Sequence, residues 1–173
     1  MKEILFAGIG GQGIILSANI LAQSAFTKGY HAAQSQSYGS ESRGTISRAG
    51  VIISDEFIDF PHVEHADYFV AMAEPAFNLL KGKVKKDAVV IYDGSVFTPA
   101  EQVGKEMINV EATKLSLEQL GKPLFANIII LGTLIKKSGL LPIEDVTAEL
   151  KQVVPPKAIE QNVNALKLGY DAV

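Results

Sequence analysis

A glycine-rich turn between an apolar run and a helical repeat constrains this chain most strongly. The segment FAGIGGQGIILSANILAQSAF carries Gly8, Gly10 and Gly13 in the spacing GxGxxG. The run EILFAG that leads into it is typical of a strand buried on both faces. After Gly13, apolar residues recur with the period of a helix. The sequence therefore predicts a strand, a tight turn and a helix whose first N–H groups are unpaired.

Three uses of such a turn have to be separated. A dinucleotide-binding fingerprint also needs an Asp or Glu about 20 residues further on, at the end of the second strand, to bond the ribose. That region reads YHAAQSQSYGS, and the first carboxylate after the turn is Glu41. NAD(P) or FAD binding is therefore the least favoured use. A contact with an anion or a partner protein is favoured, and simple tight packing stays open.

The rest of the chain alternates strand and helix patterns. Strands are predicted at YHAAQ, TISRAGVIIS, FIDFP, YFVAMA, AVVIYDGS and MINVEA, and a loop at SQSYGSESRG. The segment EPAFNLLKG and most of the chain after Ala112 have helical patterns. We expect an α/β fold: a Rossmann-like mixed, mostly parallel sheet with helices on both faces and a helical C-terminal part. Residues 1–173 are expected to form a single domain.

Composition excludes several classes of protein. The 16 basic and 19 acidic residues give a net charge of -3, which offers no reason to expect nucleic acid as a partner. The absence of cysteine excludes a disulfide, an iron–sulfur cluster or a thiolate zinc site within this chain. The most apolar window, FANIIILGTLI, is far shorter than the roughly 20 residues of a membrane span, and no signal peptide is recognisable. We expect a soluble cytoplasmic protein.

Three segments taken together, GIGGQG, SYGSESRG and VIISDEFIDFP, resemble one family. They are similar to the gamma subunits of 2-oxoacid:ferredoxin (flavodoxin) oxidoreductases of the pyruvate or 2-oxoglutarate type. The matching positions are Gly8, Gly10, Gly11, Gln12, Gly13, Tyr38, Gly39, Glu41, Arg43, Gly44, Ser54, Asp55 and Pro61. Thr45 departs from the pattern, because many relatives have a second glycine there.

The resemblance implies a role in a heterotetramer that oxidatively decarboxylates a 2-oxoacid, joins the acyl group to coenzyme A, and reduces ferredoxin or flavodoxin. Thiamine diphosphate, Mg²⁺ and iron–sulfur clusters would then belong to the alpha, beta and delta subunits. This chain would hold no cofactor, no metal and no catalytic residue of its own. Its candidate contacts to coenzyme A or to a partner are Gly8, Gly10, Gly11, Gln12, Gly13, Tyr38, Glu41, Arg43 and Gly44.

The sequence leaves two questions open: which 2-oxoacid the complex uses, and whether the chain is a subunit or a free-standing protein. The segments look closer to the 2-oxoglutarate members than to the pyruvate members, so 2-oxoglutarate is the favoured substrate of the complex. The alternative is a free-standing Rossmann-type nucleotide-binding module or an NAD(P)-dependent oxidoreductase. A subunit without its partners is also expected to expose apolar surface and to form a homodimer when isolated.

Four further features receive structural interpretations. His62 and His65, in HVEH, are expected to be surface histidines rather than metal ligands. Asn127, in an apolar helix, is expected to bond a neighbour. Glu74 either starts a helix or lies among ligand-binding residues. The run KGKVKK is expected to be a solvated loop, with an acidic partner as the alternative.

Overall fold

The computed structural model describes residues 1–38 and 45–173. Its strands are β1 (Lys2–Ile9), β2 (His31–Tyr38), β3 (Ile46–Ser54), β4 (Ala66–Ala71), β5 (Val84–Asp93) and β6 (Glu106–Val110). Its α-helices are α1 (Ile14–Thr27), α2 (Glu74–Leu80), α3 (Ala112–Leu120), α4 (Ala126–Ser138), α5 (Ile143–Val153) and α6 (Ile159–Asp171). Short 3₁₀ turns cover Lys81–Lys83, Pro123–Phe125 and Pro156–Ala158.

The strands of the described residues form one six-stranded sheet in the order β2-β3-β1-β4-β5-β6. β4 is parallel to β1, β5 to β4, and β6 to β5. β3 lies between β1 and β2 and is antiparallel to both. The expected mixed, mostly parallel α/β sheet is confirmed, and the antiparallel strand is the one predicted at TISRAGVIIS.

One side of the sheet, called the helical face below, carries most of the core. Helices α1 and α4 lie on it, and α5 and α6 pack against them. α4 is buried along almost its whole length, and α4 and α6 approach very closely at Gly132 and Gly169. A Cβ atom on Gly169 would overlap the carbonyl oxygen of Ile129. Glycine is therefore needed where these two helices cross.

The opposite side, called the open face below, is covered more thinly. The seven-residue helix α2 lies over β1, β3 and β4 and buries Phe77 and Leu80 against Leu5 and Phe69. Side chains from loops, including Val63, complete this smaller core. Helices thus cover both faces, as expected, but unequally.

The structure corrects three local predictions. FIDFP is not a strand: it lies in the connection from β3 to β4, with Phe57 and Phe60 76% and 56% exposed. Ser35–Tyr38 belongs to β2 rather than to a loop, since each of these residues pairs with β3. The run KGKVKK forms a 3₁₀ turn and the start of β5 rather than a loop.

The eight-residue strand β2 is the outermost strand on its side of the sheet. It contains no lysine, arginine, acidic residue or proline. Across residues 1–38 and 45–173, no helix has both the length and the apolar character that a bilayer crossing requires.

Candidate functional site

The glycine turn lies at the carboxyl ends of β1 and β4, which are neighbouring parallel strands. The chain leaves β1 through α1 on the helical face and leaves β4 through α2 on the open face. Connections that depart to opposite faces leave a crevice between the two strand ends, where open α/β sheets bind their ligands. The turn therefore lies where a site is expected from topology.

The turn is built on two left-handed glycines. The N–H of Gln12 donates to the carbonyl of Ile9 at 3.1 Å, and Gly11 between them has φ of 99°. Gly13 has φ of 75° and forms the N-cap of α1. Residues with a Cβ atom rarely adopt such φ values, so glycine is required at both positions. Gly8 still belongs to β1, and a Cβ there would lie 2.6 Å from Oε1 of Gln12.

The side chain of Gln12 bridges the crevice. Its Oε1 accepts a hydrogen bond from the N–H of Ile9 at 2.7 Å, and its Nε2 donates to the carbonyl of Met72 at 2.9 Å. Met72 follows β4, so this one amide ties the ends of β1 and β4 together. The sequence pattern alone did not reveal this partner, because Gln12 and Met72 are 60 residues apart.

A second anchor comes from α4. The Nδ2 of Asn127 donates to the carbonyl of Gly13 at 3.2 Å and to Oγ of Ser17 at 3.2 Å. Asn127 is 4% exposed, and a Cβ on Gly13 would overlap its amide. The predicted structural role of Asn127 is confirmed, and the third glycine of the motif makes room for it.

The end of β2 and the start of β3 lie at the same edge. Tyr38 pairs with Ser47, and Ser47 in turn pairs with Gly8. The N–H of Gly10 donates to the carbonyl of Thr45 at 2.9 Å. Thr45 therefore contacts the glycine turn directly, and Tyr38 lies two strands away from Gly8 at the same edge. The predicted site residues Glu41, Arg43 and Gly44, together with Gly39, lie outside the described residues.

The backbone N–H groups of the turn differ in whether they have an acceptor among the described residues. Gly10 and Gln12 use their N–H groups within the chain, whereas those of Gly11 and Gly13 have no acceptor among the described residues. Both lie at the start of the 14-residue helix α1, whose dipole favours negative charge there. The turn can therefore offer N–H donors to an anion or to an acceptor on another protein.

The sheet order weighs against a dinucleotide. In that class of site the ribose is bonded from the strand next to β1, at its carboxyl end. Here the neighbour of β1 on that side is the antiparallel β3, which displaces β2 by one further strand. The side chain of Gln12 also occupies the crevice that a pyrophosphate would enter.

A buried carboxylate marks the end of β5 at the same edge. Asp93 is fully buried, and its oxygens accept hydrogen bonds from the N–H and hydroxyl groups of Ser95 and Thr113. Thr113 lies in the first turn of α3, so the carboxylate fixes the turn after β5 to that helix. Asp93 therefore has a structural role.

The remaining candidate residues from the sequence are His62, His65 and Glu74. His62 and His65 are exposed in the connection before β4, and the His62 ring packs edge-on against Phe60. Glu74 is the first residue of α2 and is exposed. Among residues 1–38 and 45–173, no group of three or more His, Asp or Glu residues could hold a metal ion.

Comparison with known proteins places this geometry in a family. The family model for pyruvate ferredoxin/flavodoxin oxidoreductase matches residues 3–172. The chain is 35% identical over 173 residues to the 2-oxoglutarate synthase subunit KorC of Methanocaldococcus jannaschii, covering 98% of this chain and 92% of the relative. It is 31% identical over 174 residues to the pyruvate synthase subunit PorC of Methanothermobacter marburgensis, covering 99% and 97%.

The fold agrees with a solved relative. The gamma subunit of a keto/oxoacid ferredoxin oxidoreductase from Geobacter sulfurreducens superposes with a TM-score of 0.87 at 30% identity, over 99% of this chain and 97% of that chain. The likeness is thus to whole subunits, and nothing in it supports a free-standing nucleotide-binding enzyme. The chain belongs to the pyruvate ferredoxin/flavodoxin oxidoreductase family as a gamma-type subunit, which confirms the resemblance carried by its motifs.

Proposed function

We propose that this chain is the gamma subunit of a 2-oxoglutarate:ferredoxin (or flavodoxin) oxidoreductase. The complex would convert a 2-oxoacid, coenzyme A and two oxidised one-electron acceptors into an acyl-coenzyme A, CO₂, a proton and two reduced acceptors. The observation that carries the proposal is the end-to-end likeness to the 2-oxoglutarate synthase subunit. That likeness exceeds the one to the pyruvate synthase subunit, 35% against 31% identity, which favours 2-oxoglutarate over pyruvate.

The cofactors belong to other chains in this proposal. An iron–sulfur cluster needs cysteine ligands, and this chain has none. The described residues also do not fit a metal site. Thiamine diphosphate, Mg²⁺ and the clusters are therefore assigned to the alpha, beta and delta subunits, and no step of the reaction is assigned to a residue of this chain.

The contribution of this chain is placed at the glycine turn. The N–H groups of Gly11 and Gly13, which have no acceptor among residues 1–38 and 45–173, would face a phosphate of coenzyme A or an acceptor on a partner subunit. Arg43 and Glu41, in the segment that joins Tyr38 to Thr45, would add side-chain contacts. Since Gln12 and Asn127 hold the turn in place from both sides, little ordering would be needed on binding.

Reconstitution tests the proposed activity. The chain is expressed alone and together with the alpha, beta and delta subunits, and reduction of ferredoxin is followed with 2-oxoglutarate or pyruvate and coenzyme A. We expect a colourless, inactive chain alone, an active complex, and a higher kcat/KM for 2-oxoglutarate. Oxidation of a 2-oxoacid by the chain alone would contradict the subunit role, and a preference for pyruvate would contradict the substrate assignment.

The turn is tested separately. Gly10→Ala and Gly10→Val introduce a small and a β-branched side chain at the residue whose N–H donates to the carbonyl of Thr45. We expect Gly10→Val to raise the KM for coenzyme A or to weaken assembly far more than Gly10→Ala does, because bulk blocks the approach of another backbone or ligand.

Titration of the wild-type chain with NAD⁺, NADP⁺ and FAD should give no saturable binding, and a micromolar dissociation constant would refute this use of the turn.

A further inference from the structure

A cavity of about 280 Å³ opens on the open face beside α2. Arg48 of β3 projects into it, with Ser35 and Ser37 of β2 alongside. His62 from the connection before β4 and Lys83 from the 3₁₀ turn after α2 complete its rim. Arg48 gives no functional signal in the sequence, because it lies within a run that has the pattern of a buried strand.

At the floor of the cavity, Val63 and Ser35 pack closely against a glycine. Gly50 lies two residues after Arg48 on β3 and pairs with Leu5 and Ser35. A Cβ at this position would lie 2.8 Å from Cγ2 of Val63 and 2.9 Å from Oγ of Ser35. The cavity therefore rests on paired strands, which hold Arg48 in place between its cross-strand neighbours Ala7 and Ser37.

The described residues that line the cavity carry charge of one sign. Arg48 and Lys83 are cationic, and no aspartate or glutamate lines the cavity among residues 1–38 and 45–173. The half-buried side chain of Arg48 makes no hydrogen bond or ion pair with any residue in 1–38 or 45–173. A guanidinium carries five N–H donors, and withdrawing them from water without an acceptor is unfavourable. The cavity can therefore bind an oxyanion that comes from outside the described residues.

We propose that this cavity receives the carboxylate of an aspartate or glutamate that protrudes from a neighbouring subunit of the complex. The proposal rests on the proposed function as a gamma subunit. A planar carboxylate matches the guanidinium of Arg48 in a bidentate pair, and the hydroxyls of Ser35 and Ser37 are placed to donate to it. The cavity has room for one side chain, and its open side faces away from the sheet, where another chain would approach.

The test measures the affinity of this chain for a complex of the other three subunits at low and high salt. The variants are Arg48→Gln, Arg48→Glu, Arg48→Lys and the rim variant Lys83→Gln. We expect Arg48→Gln to raise the dissociation constant about ten- to hundred-fold and Arg48→Glu to raise it further. Arg48→Lys should recover part of the loss, and Lys83→Gln, at an exposed position, should cost about threefold and mainly at low salt.

The matched control is Lys167→Gln, which removes the same charge from an exposed position of α6 on the other face. It should bind within about twofold of wild type. Wild-type affinity in Arg48→Gln and Lys83→Gln would overturn the proposal, while failure of the wild-type chain to bind at all would refute the proposed function and this proposal with it. Lys83→Gln keeps the proposal testable if Arg48→Gln does not fold.

Free anions give the last arm. The wild-type chain is titrated with inorganic phosphate against chloride at constant ionic strength, with amide NMR shifts around Gly50 as the signal. Saturable phosphate binding that Arg48→Gln abolishes, together with unchanged subunit affinity, would assign the cavity to a free anion and overturn the proposal. Weak, non-saturating shifts together with the loss of subunit affinity support it.

Discussion

The helical face and the open face of the same sheet are built from different residues. On the helical face, apolar side chains of β1, β3, β4 and β5 meet α1 and α4, and α6 crosses α4 at glycines. On the open face, the short helix α2 leaves a cavity beside it that is lined by serine, arginine, histidine and lysine. The larger core lies on the helical face, whereas the open face holds Arg48 without an acceptor among the described residues. We therefore expect substitutions on the helical face to affect mainly stability and substitutions at the cavity to affect mainly binding.

The largest test of this separation is Gly169→Ala. The new Cβ would overlap the carbonyl oxygen of Ile129, so α4 and α6 must move apart. We expect the free energy of unfolding to fall by about 3 kcal/mol, as measured by urea denaturation. The control is Gly82→Ala, since Gly82 lies on the 3₁₀ turn after α2 and a Cβ there meets nothing within 4 Å. Equal losses in the two variants would contradict the contrast between the faces.

Gln12→Ala tests the edge that both faces share. It removes the acceptor for the N–H of Ile9 and the donor to the carbonyl of Met72. We expect a loss of about 1–2 kcal/mol, with faster amide hydrogen exchange in the turn. The control Gln23→Ala, at an exposed position of α1, should leave stability unchanged. A neutral Gln12→Ala would show that the crevice is held by the backbone alone.

Arg48→Leu should change stability in the opposite direction. Removing a half-buried guanidinium that has no partner in the described chain is expected to raise the free energy of unfolding by about 0.5–1 kcal/mol. The same variant should bind the other subunits less tightly. Lys167→Leu, on α6, serves as the control and should do neither. Destabilisation by Arg48→Leu would mean that the open face uses Arg48 for its own packing.

The smallest effect is expected at the margin of the helical face. Lys28, after α1, forms an ion pair with Asp145 of α5 at 2.8 Å, and this contact raises the pKa of the lysine above its ordinary value of 10.5. The ion pair stabilises the fold at pH values below 10.5, and its contribution is lost as pH rises through the higher pKa of the folded state. Because Lys28 is exposed to solvent, Lys28→Gln should change a urea midpoint barely measurably at pH 7 and not at all at pH 12. A large effect at pH 7 would place this pair in the core.

The sequence predicted the strand, turn and first helix because their signals are local. A buried run, left-handed glycines and a helical period lie within 27 residues, and no distant partner is needed to interpret them. The apolar residues Phe57, Ile58 and Phe60 suggest a buried strand at FIDFP, yet none of them pairs with a strand of the sheet, and Phe57 and Phe60 are exposed. Pairing is a tertiary property that a short apolar run does not encode.

The candidate site was predicted in part for the same reason. The glycines predict a turn. The hydrogen bonds from Gln12 to Met72 and from Asn127 to Gly13 depend on which elements become neighbours in the fold. Arg48 gave no signal, since its environment depends on how far α2 extends over the sheet. The motif that matches the family indicated the function. The side chains that hold the motif in place, Gln12 and Asn127, are identifiable only from the tertiary packing.

The uncharged edge of β2 has a consequence for how the chain is made. The outer edge of this eight-residue strand pairs with no other strand of the described residues and carries no proline or charge, so it can add a strand from another chain through its backbone. Such pairing is bimolecular, so its extent grows with the concentration of subunit that has not yet been assembled. The stoichiometry in which this chain and its partner subunits are synthesised therefore matters to the cell, because each excess copy carries an edge that can pair with the wrong neighbour.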